Sequence, residues 1–227
     1  LYHFDLPYAL VEKYNGWESR ECVKAFERYA RICFEEFGDR VTYWQVHNEQ
    51  NLMVRVDERV NINSDDKWEA DRQRAQMDYH MFLAHALAVK ACHAIIPEGK
   101  IGPAISSTCT YPSSNRPEDV WAARLNDWFK TDYCLDMHYY GRYPGYYMRY
   151  LEERKIVPIM FDGDEEILKD AKMDFIALNY YRTLCVSYLP ADESHPRGER
   201  TFPTNEVDFD QYGYCLLYTS PSPRDCS

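Results

Sequence analysis

A short apolar-aromatic segment, Tyr43-Trp44-Gln45-Val46-His47, runs directly into Asn48-Glu49. This pattern reads as a buried β-strand whose C-terminal end presents a carboxyl group beside an amide. In a barrel of parallel strands, the C-terminal rim is where chemistry is done. A carboxyl group there, next to a hydrogen-bond donor, suits acid/base work on a polar substrate such as a sugar. Taken alone, Glu49 could equally be a capped or ion-paired surface carboxylate, the commoner fate of a single glutamate. Its neighbours have to decide.

The rest of the chain alternates strands with helices. Residues 1–6 read as the end of a strand closed by Pro7. Ser19 is a candidate N-cap for a helix whose apolar positions run from Cys22 through Phe26, Ala30 and Phe34 to Phe37, and Gly38-Asp39 ends it. After the 41–47 strand, a polar loop over 57–66 precedes a long helix from about Lys67 to Ile96, stopped by Pro97-Glu98-Gly99. A strand is expected over 100–105, a Ser/Thr/Pro-rich loop over 106–114, and a helix from Pro117 to about Phe129. A tyrosine-dense segment, 133–150, contains the turn Gly141-Arg142-Tyr143-Pro144. A short helix over 165–171 leads to a strand, 173–181, ending in Asn179-Tyr180-Tyr181. This order implies βαβ units and a parallel sheet. Strands ending in His, Asn-Glu and Asn-Tyr-Tyr favour a (β/α)8 TIM barrel over an open sheet.

Composition removes several function classes. The formal net charge of −11 argues against nucleic acid as a partner. No stretch approaches the roughly 20 apolar residues of a membrane span, and no signal peptide is visible, so no membrane partner and a cytoplasmic location are expected. The eight cysteines lack a C-x-x-C pair and are expected to be free, mostly buried thiols. His80 and His85 are five apart on a helix and do not share a face as a metal pair would. No metal and no cofactor are expected. Tyr, Phe and Trp make up 15% of the chain, which suits stacking on sugar faces but also suits an ordinary large core.

Several separated motifs, in order, resemble glycoside hydrolase family 1, the β-glucosidase family. Leu1-Tyr2-His3-Phe4-Asp5-Leu6-Pro7 is similar to its strand-three motif. Gly16-Trp17 with the stretch from Phe26 to Trp44 is similar to the helix and strand before the catalytic acid, and Asn48-Glu49 to its Asn-Glu-Pro signature. Tyr140 to Pro144 and Asp174 to Tyr181 are similar to later segments. The resemblance covers residues 1–183 and implies that Glu49 is the general acid/base and that Asn48 binds the sugar 2-hydroxyl. It further implies that His3 binds a glycone hydroxyl, that Asn179 is a rim residue close to the sugar, and that Tyr181 donates to the nucleophilic carboxylate. The implied partner is a β-linked di- or oligosaccharide or an aryl β-glycoside, plain or 6-phosphorylated.

The departures carry information too. Gln50 stands where the signature has proline, Phe4 where many β-glucosidases have Trp, and Ala177 where Gly is usual. Phe4 and the lost proline are features of the branch acting on 6-phosphorylated β-glucosides or β-galactosides. The family's nucleophile motif, Ile/Val-Thr-Glu-Asn-Gly, does not occur, and Glu165, Glu166 and Glu206 read as solvated charges. The expectation is therefore an incomplete barrel over residues 1–214, lacking the first strands and the last two and inactive on its own. The run 215–227 resembles a translated sequencing adapter. A non-catalytic sugar-binding barrel is the alternative, and a different acid/base enzyme on the same scaffold is a third.

Overall fold

The computed structural model describes residues 1–55 and 60–188, with backbone alone at 182 and 204–205. The expected loop over 57–66 is thus described only from Val60 onward, and Glu206 and the run 215–227 lie outside the described residues. The chain divides into two compact units, one of residues 1–106 and 131–179, the other of 107–130 and the chain from 180 onward.

The first unit is built on a βαβ crossover. Strand β1 (Tyr43–Asn48) pairs in parallel with β2 (Lys100–Pro112), and helix α4 (Lys67–Ile95) makes most of the connection between them. Tyr2 adds a parallel bridge on the other side of β1, its N–H donating to Val46 O at 3.0 Å while Asn48 N–H donates to Tyr2 O at 2.9 Å. The register slips by one residue between Gln45 and Asn48. β1 therefore carries one more residue than β2 across this stretch, a β-bulge opposite Pro103. Val46 and His47 are consequently both buried, breaking the strict alternation of the strand.

Helix starts follow their sequence signals. Helix α1 (Tyr8–Tyr14) begins after Pro7, and α2 (Arg20–Phe37) is capped by the Ser19 hydroxyl, which accepts from Glu21 N. Asp66 caps α4 by accepting from Glu69 N at 2.8 Å. Helix α2 has a single apolar stripe of Cys22, Val23, Phe26, Ala30 and Phe34. Helix α4 does not: residues 75–86 are buried on every side, because α2, β1 and α3 (Gln50–Met53) are among the elements packed around it. Five polar side chains, Gln73, Gln76, Asp78, His80 and His85, are therefore carried into the interior.

The tyrosine-dense segment forms α6 (Tyr133–Tyr140) and α7 (Gly145–Arg154), and the short helix α8 spans Asp164–Asp170. Gly141 joins α6 to α7 at φ 68°, where an added Cβ would sit 2.6 Å from the Leu168 backbone. Gly102 on β2 lets the Phe175 carbonyl approach to 2.0 Å of the position a Cβ would occupy. Asp174, just before it, accepts from His93, Lys100 and the Ile101 N–H, tying the end of α4 to the start of β2.

Two expected boundaries are corrected. Strand β2 runs on to Pro112 through the stretch read as a loop. Strand β3 spans Ala177–Val186, starting later and ending later than expected, so Asn179 and Tyr181 lie within the strand and not at its end. Serine and threonine are compatible with extended backbone, and the apolar run Leu184 to Val186 has partners that local pattern does not reveal: Val186 packs with Ala122 and Ala123 of α5 (Pro117–Asp127) in the second unit. A π-helical turn, Trp128–Asp132, follows α5. Strand β4 (Thr204–Asn205) pairs antiparallel with β3, and the strand order is β1-β2-β3-β4.

One ion pair closes the lower part of the first unit. The Arg20 guanidinium makes two hydrogen bonds to the Asp164 carboxylate, which also accepts from Tyr79 OH at 3.1 Å and Phe161 N at 3.0 Å. Burial pushes the Asp164 carboxyl up, but these donors outweigh it and hold it below its ordinary range. Asp164 is the buried member, whereas Arg20 keeps part of its solvent. Arg20→Ala should therefore cost about 3 kcal/mol and Asp164→Ala about 2 kcal/mol, the first leaving a buried charge without its cation. Urea midpoints of the two variants test the order; Asp164→Ala being the more damaging would refute it.

Candidate active site

The sheet brings three of the expected site residues into direct contact. Asn179 Nδ2 donates to Asn48 Oδ1 at 2.9 Å and to Glu49 Oε1 at 2.9 Å. Glu49 directly follows β1 and is only 6% exposed. Its backbone is left-handed (φ 50°, ψ 46°), an uncommon state for a residue with a Cβ. That conformation persists because both backbone groups are bonded: the N–H donates to Ala104 O at 2.7 Å, and the carbonyl accepts from Leu52 N and Met53 N of α3. Asn51 fixes the same helix to β2, donating to Ser106 O at 2.8 Å and accepting from Ser106 N at 3.1 Å.

His3 and Tyr181 are not held in this way. The Tyr2–His47 bridge sets His3 beside Asn48, on the strand face opposite Tyr2 and His47. His3 is exposed; its ring meets Phe4 at 5.0 Å and its N–H donates to Asp5 Oδ1 at 3.3 Å. Phe4, next along, also has a left-handed backbone (φ 75°). Tyr181 belongs to the second unit, where it is 56% exposed. Glu165 and Glu166 lie on α8 and are exposed, Glu165 paired with Lys169. Among the described residues, no group of three His, Cys, Asp or Glu side chains could hold a metal ion, and no helix is long and apolar enough to cross a membrane. Their six cysteines are free: Cys22, Cys92 and Cys134 are buried, Cys33 and Cys185 half-buried, and Cys109 exposed.

The family model for Glycosyl hydrolase family 1 matches residues 1–213. The chain belongs to glycosyl hydrolase family 1. It is 40% identical over 194 residues to the aryl-phospho-beta-D-glucosidase BglH of Bacillus subtilis (strain 168), covering 84% of this chain and 40% of that protein. To the 6-phospho-beta-glucosidase AscB of Escherichia coli (strain K12) it is 36% identical over 188 residues, covering 82% and 39%. The family 1 β-glucosidase from Thermotoga maritima superposes with a TM-score of 0.78 at 29% identity, covering 96% of this chain and 47% of that one. The fold is thus part of the family 1 (β/α)8 barrel, and the chain spans about 40% of the length of the curated relatives it matches.

The layer behind this family 1 strand end was not foreseen. His47 turns away from Asn48 into a cage of Tyr2, Trp17 and Phe26, its ring centroid 4.7 Å from that of Phe26. His85 and His138 face each other at 4.3 Å. None of the six ring nitrogens has a hydrogen-bond partner among the described residues. Burial, the largest cause in each case, pushes all three imidazoles down, His85 to about 3. Mutual repulsion adds to the effect at His47 and His138. No spacing in the sequence announces this cluster, since its members come from β1, α4 and α6.

These imidazoles make stability depend on pH with a definite sign. An unfolded imidazole takes up its proton near pH 6.5, about the reference value, while the folded one stays neutral well below that. Unfolding then consumes protons, so stability present above pH 6.5 is lost as pH falls toward the folded values, by about 1.4 kcal/mol per pH unit per imidazole. His138→Phe should flatten the slope of urea-derived stability between pH 6 and 5 by about that amount. An unaltered slope would mean that His138 is not buried in its neutral form.

Proposed function

We propose that the protein carrying this chain is a retaining β-glycosidase that cleaves 6-phospho-β-glucosides, with Glu49 as general acid/base. The observation that carries this reading is the Asn179 amide bonded to both Asn48 and Glu49 at the end of a parallel strand. Glu49 first donates its proton to the glycosidic oxygen, then removes one from the water that resolves the glycosyl-enzyme. Asn48 bonds the sugar 2-hydroxyl, an interaction that strengthens as positive charge develops at the anomeric carbon. His3, solvent-exposed beside Asn48, is assigned to a glycone hydroxyl. Asn179 holds the acid in place at the rim, and Tyr181 donates to the nucleophile.

The 6-phosphate is favoured by Phe4 and Gln50 and by the relatives, which include an aryl-phospho-beta-D-glucosidase and a 6-phospho-beta-glucosidase. A phosphorylated sugar suits a cytoplasmic enzyme, because sugars phosphorylated on uptake are met there. A retaining mechanism needs a second carboxylate about 5–5.5 Å from the first. We assign that role outside residues 1–227, since Glu165 and Glu166 are helix surface charges. The 227-residue chain alone is then inactive.

The test uses the complete reading frame that contains these residues. It should release p-nitrophenol faster from the 6-phospho-β-glucoside than from the plain β-glucoside. Glu49→Gln should lower kcat by about 10²- to 10⁴-fold, and by less when the leaving group is too acidic to need protonation. Undiminished turnover in Glu49→Gln would end the assignment, and preference for the unphosphorylated substrate would end the phosphate claim.

A further inference from the structure

Glu49 is flanked on both sides by buried polar chemistry. Gln50, the first residue of α3, is 1% exposed, and its Nε2 donates to Asp78 Oδ1 at 2.8 Å and to the Asp78 carbonyl at 3.1 Å. Both hydrogens of one amide are thus spent on one residue of α4. Asp78 is itself 2% exposed in the middle of the most buried helix of the first unit. On the other flank, His47 has two unpartnered ring nitrogens, and Gln50 Oε1 is likewise unpartnered.

A carboxyl group in such a place is costly. Burial raises the Asp78 pKa to about 6, against the opposing influence of Gln50, Tyr133 and Arg55. Helix packing alone would be served as well by leucine. The backbone that benefits is the left-handed Glu49 and the first residue of α3. Proline, the family's residue after this glutamate, limits that first residue through its ring. Glutamine leaves φ free, so another constraint is needed to hold the strand-to-helix junction in one state.

We propose that Asp78 is a positioning residue for Glu49, acting through Gln50, which clamps the junction that proline stiffens elsewhere in the family. The clamp fixes the direction in which the Glu49 side chain leaves β1. Its kinetic consequence rests on Glu49 being the acid/base of the proposed glycosidase; its structural consequence does not.

Two arms test it. The first measures hydrogen exchange at the Glu49 amide, which donates to Ala104 O, against the Lys100 amide, which donates to Thr42 O at 2.7 Å at the far end of the same strand pair. Asp78→Leu keeps the branched shape in a larger side chain and removes the side-chain acceptor while leaving the residue-78 carbonyl, and should speed exchange at Glu49 by about tenfold while leaving Lys100 unchanged. Asp78→Asn keeps an acceptor oxygen and should stay within about twofold of the parent. Equal exchange in parent and Asp78→Leu, or a rise shared by both amides, overturns the clamp.

The second arm reads kcat and KM in the complete reading frame. Asp78→Leu and the paired Gln50→Leu/Asp78→Leu variant should each lose about tenfold in kcat with KM held, because a misdirected acid spares binding. The paired variant leaves no orphaned amide, so its urea midpoint should stay near the parent's while kcat stays low. Parental kcat in that variant overturns the proposal. A parent without glycosidase activity would sink the proposed function, and the exchange arm would still decide the clamp.

Discussion

A one-residue bulge in β1 organises this structure. Between Gln45 and Asn48, β1 takes up one residue more than β2, and that residue changes which way the next three side chains face. His47 goes with Val46 to the helix layer, Asn48 returns to the opposite face, and Glu49 leaves the strand in a left-handed turn. Without the bulge, strict alternation from Trp44 would have sent Asn48 into the helices. The meeting of Asn48, Glu49 and Asn179 depends on that one-residue offset.

Much of this was legible in the sequence. The periodicity of α2, the Ser19 cap, the Pro97-Glu98-Gly99 stop and the apolar run before Asn48 are local signals, and local hydrogen bonding and burial decide them. The extent of β2 and β3 was not legible. Serines and threonines after Ile105 have the look of a loop until a neighbouring strand gives them partners. The residues behind Glu49 were hidden for a related reason. Asp78 and His85 sit in a segment that reads as one long helix and His138 in a tyrosine-dense segment around a turn, and only tertiary burial brings them together. Gln50 was visible as a departure from the family signature, but its partner 28 residues away was not.

The interior of the first unit is unusual for how it handles polarity. Asp164 and Asp174 are buried or half-buried carboxylates with several donors each, and their charge is well supported. The imidazoles of His47, His85 and His138 have no partner among the described residues, and they persist only by staying neutral. One set of groups tightens the fold as pH rises past the carboxylate range; the other loosens it as pH falls below the imidazole range. Both lose stability as pH falls, so together they favour pH above the imidazole range.

The Asn179 amide has a further consequence for Glu49. Because an N–H already points at Oε1, that oxygen is committed to accepting, and a neutral Glu49 carries its hydrogen on Oε2. The two carboxyl oxygens are therefore not equivalent. Under the proposed role of Glu49, a group taking that proton approaches from the Oε2 side, so the site has a handedness before a substrate arrives.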